Sequence, residues 1–312
     1  MKILVTGGCG YVGSKLVNGL IADNHKIKVV DSQWFGNYLI SNKNLEIFRE
    51  DIRDINENHF KDIDTVIHLA NIANDPSVEL NPNLSWDVNV VQSIKIIELA
   101  IKFNVKKFIY ASSGSVYGVK EEDEVVEDLS LVPISIYNKT KIAAERIFLS
   151  YSDKINVYNI RPATVCGLSP RMRFDLTVNM FVSQAFNKKQ ISVNGGNQIR
   201  PNIHIDDLVN VYRHFIINNL PVGPYNAGFE NLSILEIANI INKIIPCEIK
   251  INNVTDIRSY RLSSKKLLKT GFVKKYNVSS AVQEIYSNFM KGHIQDNDSC
   301  HTVLWMKKNS IK

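Results

Sequence analysis

The chain has 312 residues, 45% of them hydrophobic and 22% charged, with a formal net charge of +6. That length builds a large core, as one α/β unit or two closely packed domains. Scattered rather than clustered lysines exclude a nucleic-acid footprint, no apolar run approaches a membrane span, and mild positive charge fits an anionic small substrate.

Short apolar runs of strand length open the chain: KILVT (2–6), IKVV (27–30), LEIF (45–48), DTVIHLA (64–70), KKFIYAS (106–112) and INVYNIR (155–161). Between several of them, stretches such as SKLVNGLIAD and NVVQSIKIIELAIKF carry apolar residues at three- and four-residue spacing, the period of an amphipathic helix. Alternation of this kind predicts a parallel sheet covered on both faces, a doubly wound Rossmann α/β fold. After about residue 165 the rhythm changes. DLTVNMFVSQAF and SILEIANIINKII read as helices, separated by short strands such as QISVNG. The expected division is a dinucleotide-binding domain over 1–165, to which about 201–216 returns, and a smaller α/β substrate lobe over 166–312. The last stretch, KGHIQDNDSCHTVLWMKKNSIK, has weak periodicity and reads as a tail or an oligomer contact.

Cys9, Cys166, Cys247 and Cys300 are far apart, with no CxxC pair and no His at metal-ligand spacing. Reduced thiols, no metal and a cytoplasmic location are expected, with no signal-peptide pattern ahead of the first strand.

The segment VTGGCGYVGSKL places Gly7, Gly10 and Gly13 between the first strand and the first helix. Gly7 allows the tight turn, Gly10 lets backbone approach a pyrophosphate, and Gly13 lets helix and strand pack closely. Phosphates then sit on the helix N-terminus, where unpaired N–H groups favour anions. Asp31 ends the second strand about twenty residues on, where it can accept both ribose hydroxyls. No Arg follows immediately to hold a 2′-phosphate, so NAD(H) is expected over NADP(H).

YNKTK places Tyr137 and Lys141 four apart on one helix face. A free Tyr has a pKa near ~10, too high for a base at neutral pH. A neighbouring ammonium and an oxidised nicotinamide both favour phenolate, which is what hydride chemistry needs.

The spacing TGGxGxxG resembles the extended short-chain dehydrogenase/reductases, the NAD-dependent nucleotide-sugar epimerase/dehydratase family, of the UDP-glucose 4-epimerase type. Further matches cover most of the chain. The resemblance implies that Tyr11 and Val12 join the glycines at the cofactor, that Asp51 and Ile52 of DIRD meet the adenine, and that Leu69 and Ala70 of HLAN line the cofactor. Asn89 resembles the Asn of the following helix. His68 reads as a satisfied strand-end histidine. Tyr137 and Lys141 match the YxxxK pair, and Ser113 falls where the family has its catalytic Ser/Thr. Glu145 and the acidic run at 121–128 read as a solvated helix face and loop.

Gly114 and Ser115 stand where 4,6-dehydratases of this family resemble an Asp–Glu pair, related decarboxylases carry Glu, and some 3,5-epimerases carry Cys. Neither residue here is a carbon acid–base catalyst, so the site is equipped for oxidation or reduction at one carbinol. On the substrate side, NIRPATVCGLSP resembles the segment that sets Pro162 and Val165 near the nicotinamide. Thr164 replaces a substrate-contacting Asn and Cys166 an aromatic. Asn179 matches the Asn that meets the sugar-nucleotide diphosphate, Arg200 the Arg that grips phosphate, and Arg258 is a further phosphate candidate. Arg171-Met172-Arg173 resembles a subgroup with SPRMR that includes enzymes acting on nucleotide-activated sugars and heptoses. His204 and Asp206 are expected to brace their turn.

The reading is a nucleotide-sugar 4-epimerase using NAD, as a homodimer joined through helices near 85–103 and 137–151. A 4-dehydrogenase or ketoreductase shares every residue named. A non-catalytic NAD-sensing protein is the alternative of another class.

Overall fold

Each of the six apolar runs becomes a strand in the computed structural model, which describes residues 1–254 and 259–311. Arg258 lies outside the described residues. The first half runs β1 (Lys2–Thr6), α1 (Tyr11–Ala22), β2 (Lys26–Asp31), β3 (Leu45–Arg49), β4 (Thr65–His68), α2 (Asp75–Leu80), α3 (Pro82–Trp86), α4 (Gln92–Lys102), β5 (Lys107–Ala111), α5 (Ile136–Leu149) and β6 (Asn156–Pro162). The second half runs β7 (Thr164–Cys166), α6 (Thr177–Lys188), β8 (Gln190–Asn194), β9 (Ile199–His204), α7 (Ile205–Ile217), β10 (Gly223–Ala227), β11 (Glu230–Ser233), α8 (Ile234–Ile244), β12 (Glu248–Asn252), α9 (Lys265–Leu268), α10 (Val278–Met290) and α11 (Thr302–Lys308).

Seven strands form one parallel sheet in the order β10-β6-β5-β4-β1-β2-β3. Strand order reverses between β1 and β4, and a crevice opens at their carboxyl ends. β4 is buried along its whole length, as a strand covered on both faces must be. α7 returns beside α1, with Leu208, Val209 and Phe215 in the same apolar cluster as Leu16, Val17 and Leu20. The seventh strand, β10, is supplied from the second half and hydrogen-bonds along β6.

Over the strand ends sits a lobe with a three-stranded sheet, β11-β9-β7, and a two-stranded parallel pair, β12-β8. Phe181, Ile237 and Ile285 bring α6, α8 and α10 into a separate core.

Two sequence expectations are corrected. Glu145 is not on a solvated face: it is 1% exposed and pairs with Arg161 of β6, Nη2 to Oε2, at 2.6 Å. It also accepts the Ser112 hydroxyl. A lone Glu within a helix gives no sign of a cation on the strand behind it. Within the acidic run, Glu127 is likewise buried and accepts the Asn226 amide at 2.8 Å, while its neighbours Glu121 to Glu124 are exposed. The last stretch is more than a tail. A turn at Asp298–Cys300 leads into α11, whose Met306 is buried and whose Trp305 stacks 6.0 Å from Trp34. Among the described residues no helix is long and apolar enough to cross a membrane.

Candidate active site

The crevice holds a cavity of about 410 Å³ that runs from the β1–α1 turn and Asp31, past Leu69 and Ala70, to Ser113 and Tyr137. Its glycines are steric requirements. Gly7 has φ +75°, and a Cβ there would sit 2.6 Å from the Ala70 amide nitrogen. A Cβ on Gly13 would sit 2.3 Å from the Gly7 carbonyl. Gly10 is the N-cap of α1 and no side chain caps the helix, so first-turn N–H groups are left without a side-chain partner at a turn that borders the cavity, as an anion site requires. Asp31 is oriented by two backbone donors, Cys9 N–H at 2.9 Å and Gln33 N–H at 2.7 Å. Burial raises its pKa, and those two bonds oppose the rise. Asp51 and Ile52 close the same end, with Asp51 held by Arg53 at 3.0 Å. A glycine cradle, an uncapped helix N-terminus and a strand-end carboxylate together fit a dinucleotide.

At the other end, Ser113 follows β5 and Tyr137 opens α5, whose N-cap Ser135 bonds the Asn138 amide. Ser113 Oγ lies 2.8 Å from Ser115 Oγ, and Ser115 in turn accepts Asn138 Nδ2 at 2.9 Å. Burial pushes the Tyr137 phenol up to about 12, the Ser113 hydrogen bond pulls it down, and Asp75 and Arg173 act in opposite senses. Lys141 is 1% exposed and donates to the Ala111 carbonyl at 2.7 Å, with Nζ 5.7 Å from the Tyr137 ring centroid. Burial lowers its pKa to about 7 despite Glu145. The expected lowering of Tyr137 by Lys141 is therefore not what the protein alone achieves: both groups are desolvated, and the ammonium points at a carbonyl. Within the protein the Ser113 hydrogen bond and the Arg173 charge favour phenolate, and the positive charge of an oxidised nicotinamide would add to them.

Pro162, Thr164 and Val165 border the cavity, as do Tyr11 and Val12. Asn89, Asn179 and Arg200 do not border it. Asn89, carried on a π-helical turn at Asp87–Val91, has its amide tied to both backbone groups of Ile72 at 2.8 and 3.2 Å. Asn179 accepts Gly167 N–H at 3.0 Å and donates to the Tyr11 hydroxyl at 3.0 Å, bracing the wall from behind. Arg200, on β9, touches the site through its charge on Tyr260, which does border the cavity. Cys166 is buried beneath and bonds Ile203 O. His68 is enclosed between Thr6 Oγ1 at 2.7 Å and Ser93 Oγ at 2.9 Å, the satisfied role expected of it. His204 accepts Asp206 N–H at 3.1 Å and Lys15 reaches Asp206 at 2.9 Å, so this cluster does brace its turn.

Sequence reasoning missed Asp75, Thr302 and Met306, and it met Arg171 and Arg173 only as part of the SPRMR resemblance; all five are on the cavity wall. Asp75 accepts the Ser135 hydroxyl and its charge reaches Tyr137. An Asn-Asp-Pro helix start was its only local signal, and for Thr302 and Met306 there was none.

The model of the NAD dependent epimerase/dehydratase family matches residues 3–228. A putative UDP-glucose 4-epimerase of Methanocaldococcus jannaschii is 34% identical over 217 residues, covering 66% of this chain and 70% of that one. UDP-glucuronic acid decarboxylase 2 of Arabidopsis thaliana is 31% identical over 260 residues, which is 78% of this chain and 57% of the relative. The chain thus spans little more than half the length of that decarboxylase. Among solved structures, UDP-glucuronic acid 4-epimerase from Bacillus cereus, in complex with UDP-glucuronic acid and NAD, superposes with a TM-score of 0.81 at 25% identity, over 93% of this chain and 99% of that one. This chain belongs to the NAD dependent epimerase/dehydratase family, and its cofactor is NAD.

Proposed function

We propose that the protein is a nucleotide-sugar 4-epimerase that oxidises C4 of a UDP-sugar or similar nucleotide sugar transiently. One observation carries this reading: beside the Ser113–Tyr137 pair, the positions that would hold carbon acid–base groups hold Gly114 and Ser115. Position 114 also has little room, since a Cβ there would lie 3.1 Å from the Pro162 carbonyl. Ser115 is engaged with Ser113 and Asn138.

Bound NAD+ would accept the C4 hydride and return it. Tyr137 takes the proton from O4 as C4 is oxidised and gives it back after the 4-keto sugar has turned over, so one phenol serves both halves. Ser113 donates to O4 and stabilises charge developing there. Lys141 supports the cofactor ribose, and Asn179, Arg200 and Arg258 belong to the sugar-nucleotide side of this proposal. Four free cysteines fit a reducing cytoplasm. Trp86, 38% exposed, and Val91, 55% exposed, leave apolar surface on the helices of the proposed homodimer contact.

Asp75 favours one second reading, in which its carboxylate moves a proton at C5. Nuclear magnetic resonance of UDP-, GDP-, CDP- and dTDP-sugars turned over in D2O with substoichiometric NAD+ separates the two. The expected product is the C4 epimer with no deuterium bound to carbon. Deuterium at C5 or a 6-deoxy-4-keto product overturns it, and NADH formed in step with a released keto sugar makes the protein a dehydrogenase.

A further inference from the structure

Arg171 is not used by the Tyr137 chemistry, yet its placement calls for a ligand. The residue is 3% exposed and borders the cavity. Its Nη2 donates to the Ser299 carbonyl at 3.3 Å, and its guanidinium lies 3.9 Å over the Phe35 ring. Its Nε–H is enclosed and has no hydrogen-bond partner. Among the described residues no carboxylate is within ion-pair distance: the neighbouring Asp175 is taken by Arg173 at 2.8 Å. Burial and Arg173 push Arg171 down to about 10, which leaves it a cation at neutral pH. An enclosed cation with an orphaned donor is costly unless an anionic oxygen meets it.

Position says which anion. Phe35 lies in the loop that follows β2 and Asp31, and the Asp31 carboxylate feels the Arg171 charge. This is the Asp31 end of the cavity, where a dinucleotide on the glycine turn would carry its adenosine diphosphate. The geometry points to Arg171 as a cofactor-binding residue whose Nε–H donates to a phosphate oxygen of the dinucleotide, while its Nη2 ties that contact to the C-terminal segment. The inference rests on the NAD site and is independent of the choice between epimerase and dehydrogenase.

The tie matters because the C-terminal segment closes the cavity. Phe174 N–H donates to the Cys300 carbonyl at 2.9 Å and Thr302 N–H to Asp175 at 3.1 Å. Trp305 packs 4.9 Å from Phe35, and Thr302 and Met306 stand on the cavity wall. The loop at 169–175 thus holds the segment down, and a bound dinucleotide strengthens the same contacts. Slow cofactor release follows, which suits a reaction that returns its hydride to the sugar it came from.

The test is NADH release followed by stopped-flow fluorescence on the full chain, with NADH-induced melting shifts alongside. Arg171→Met is expected to release NADH roughly 10- to 100-fold faster, the loss of a charged hydrogen bond, and to reduce the NADH-induced shift. Trp305→Ala, which frees α11, is expected to speed release as well. UDP-glucose binding to the NADH-loaded protein is expected to change by less than about threefold, the scatter of a contact not made. A folded Arg171→Met protein with wild-type release overturns the inference, as does a loss that falls on UDP-glucose instead. If Arg171→Met does not fold, Arg171→Lys, which keeps the charge but cannot span both partners, decides by the same two criteria.

Discussion

On the proposed mechanism turnover depends on Tyr137, and Tyr137→Phe removes its proton carrier without changing the cavity's shape. Turnover is expected to fall by at least about 10³-fold with NAD content of the purified protein unchanged, measured by product formation and by cofactor release on denaturation. His68 makes a different prediction, about stability. Burial lowers its pKa from 6.5 to about 3, so the unfolded chain binds the extra proton first. Stability is then fully present above about pH 6.5 and is lost as pH falls towards 3. His68→Asn is expected to flatten that part of the urea-unfolding profile between pH 6.5 and 4. Residue identity and spacing made Tyr137 and His68 legible in the sequence, and the family resemblance did so for Ser113. The proton affinities were not, because desolvation depends on what surrounds a side chain.

At the scale of elements, the pair α5 and β6 positions the chemistry. Glu145 and Arg161 join them, and Glu145 also holds Ser112, next to Ser113. Removing one partner of a buried pair leaves the other charge uncompensated, so Glu145→Ala is expected to cost about 3–5 kcal/mol in chemical denaturation. Arg161 would also lose its hold on the Tyr117 hydroxyl, 2.7 Å from Nη1. The β1–α1 turn gives a sharper test. Gly13→Ala forces a methyl group against the Gly7 carbonyl, and NAD affinity measured by calorimetry is expected to fall by at least about tenfold, more than 1.4 kcal/mol. This turn was readable because its sterics are local. The α5–β6 pair was not, since Glu145 carries the same local signature as a solvent-facing helix residue.

Taken as a whole molecule, the chain crosses between its two parts more than once. β10 and α7 complete the first sheet and its cover from the second half, and α11 returns to the cofactor cavity. A fragment ending at residue 165 therefore lacks one strand of seven and the helix over α1, and it is expected to show no cooperative thermal transition by circular dichroism. By itself, the sequence determined the parallel α/β order, the glycine turn, Asp31 at the end of its strand and the pairing of Tyr137 with Lys141 on one helix, since these are written by local sterics and by strand and helix period, while Ser113 was reached through the family resemblance. Tertiary structure alone decided that Arg171 and Met306 stand at the same cavity as Asp31, that Asp75 stands on the same wall as Tyr137, and that Glu145 is buried. Those facts depend on contacts between segments far apart in the chain, where burial and charge pairing, rather than local periodicity, select the outcome.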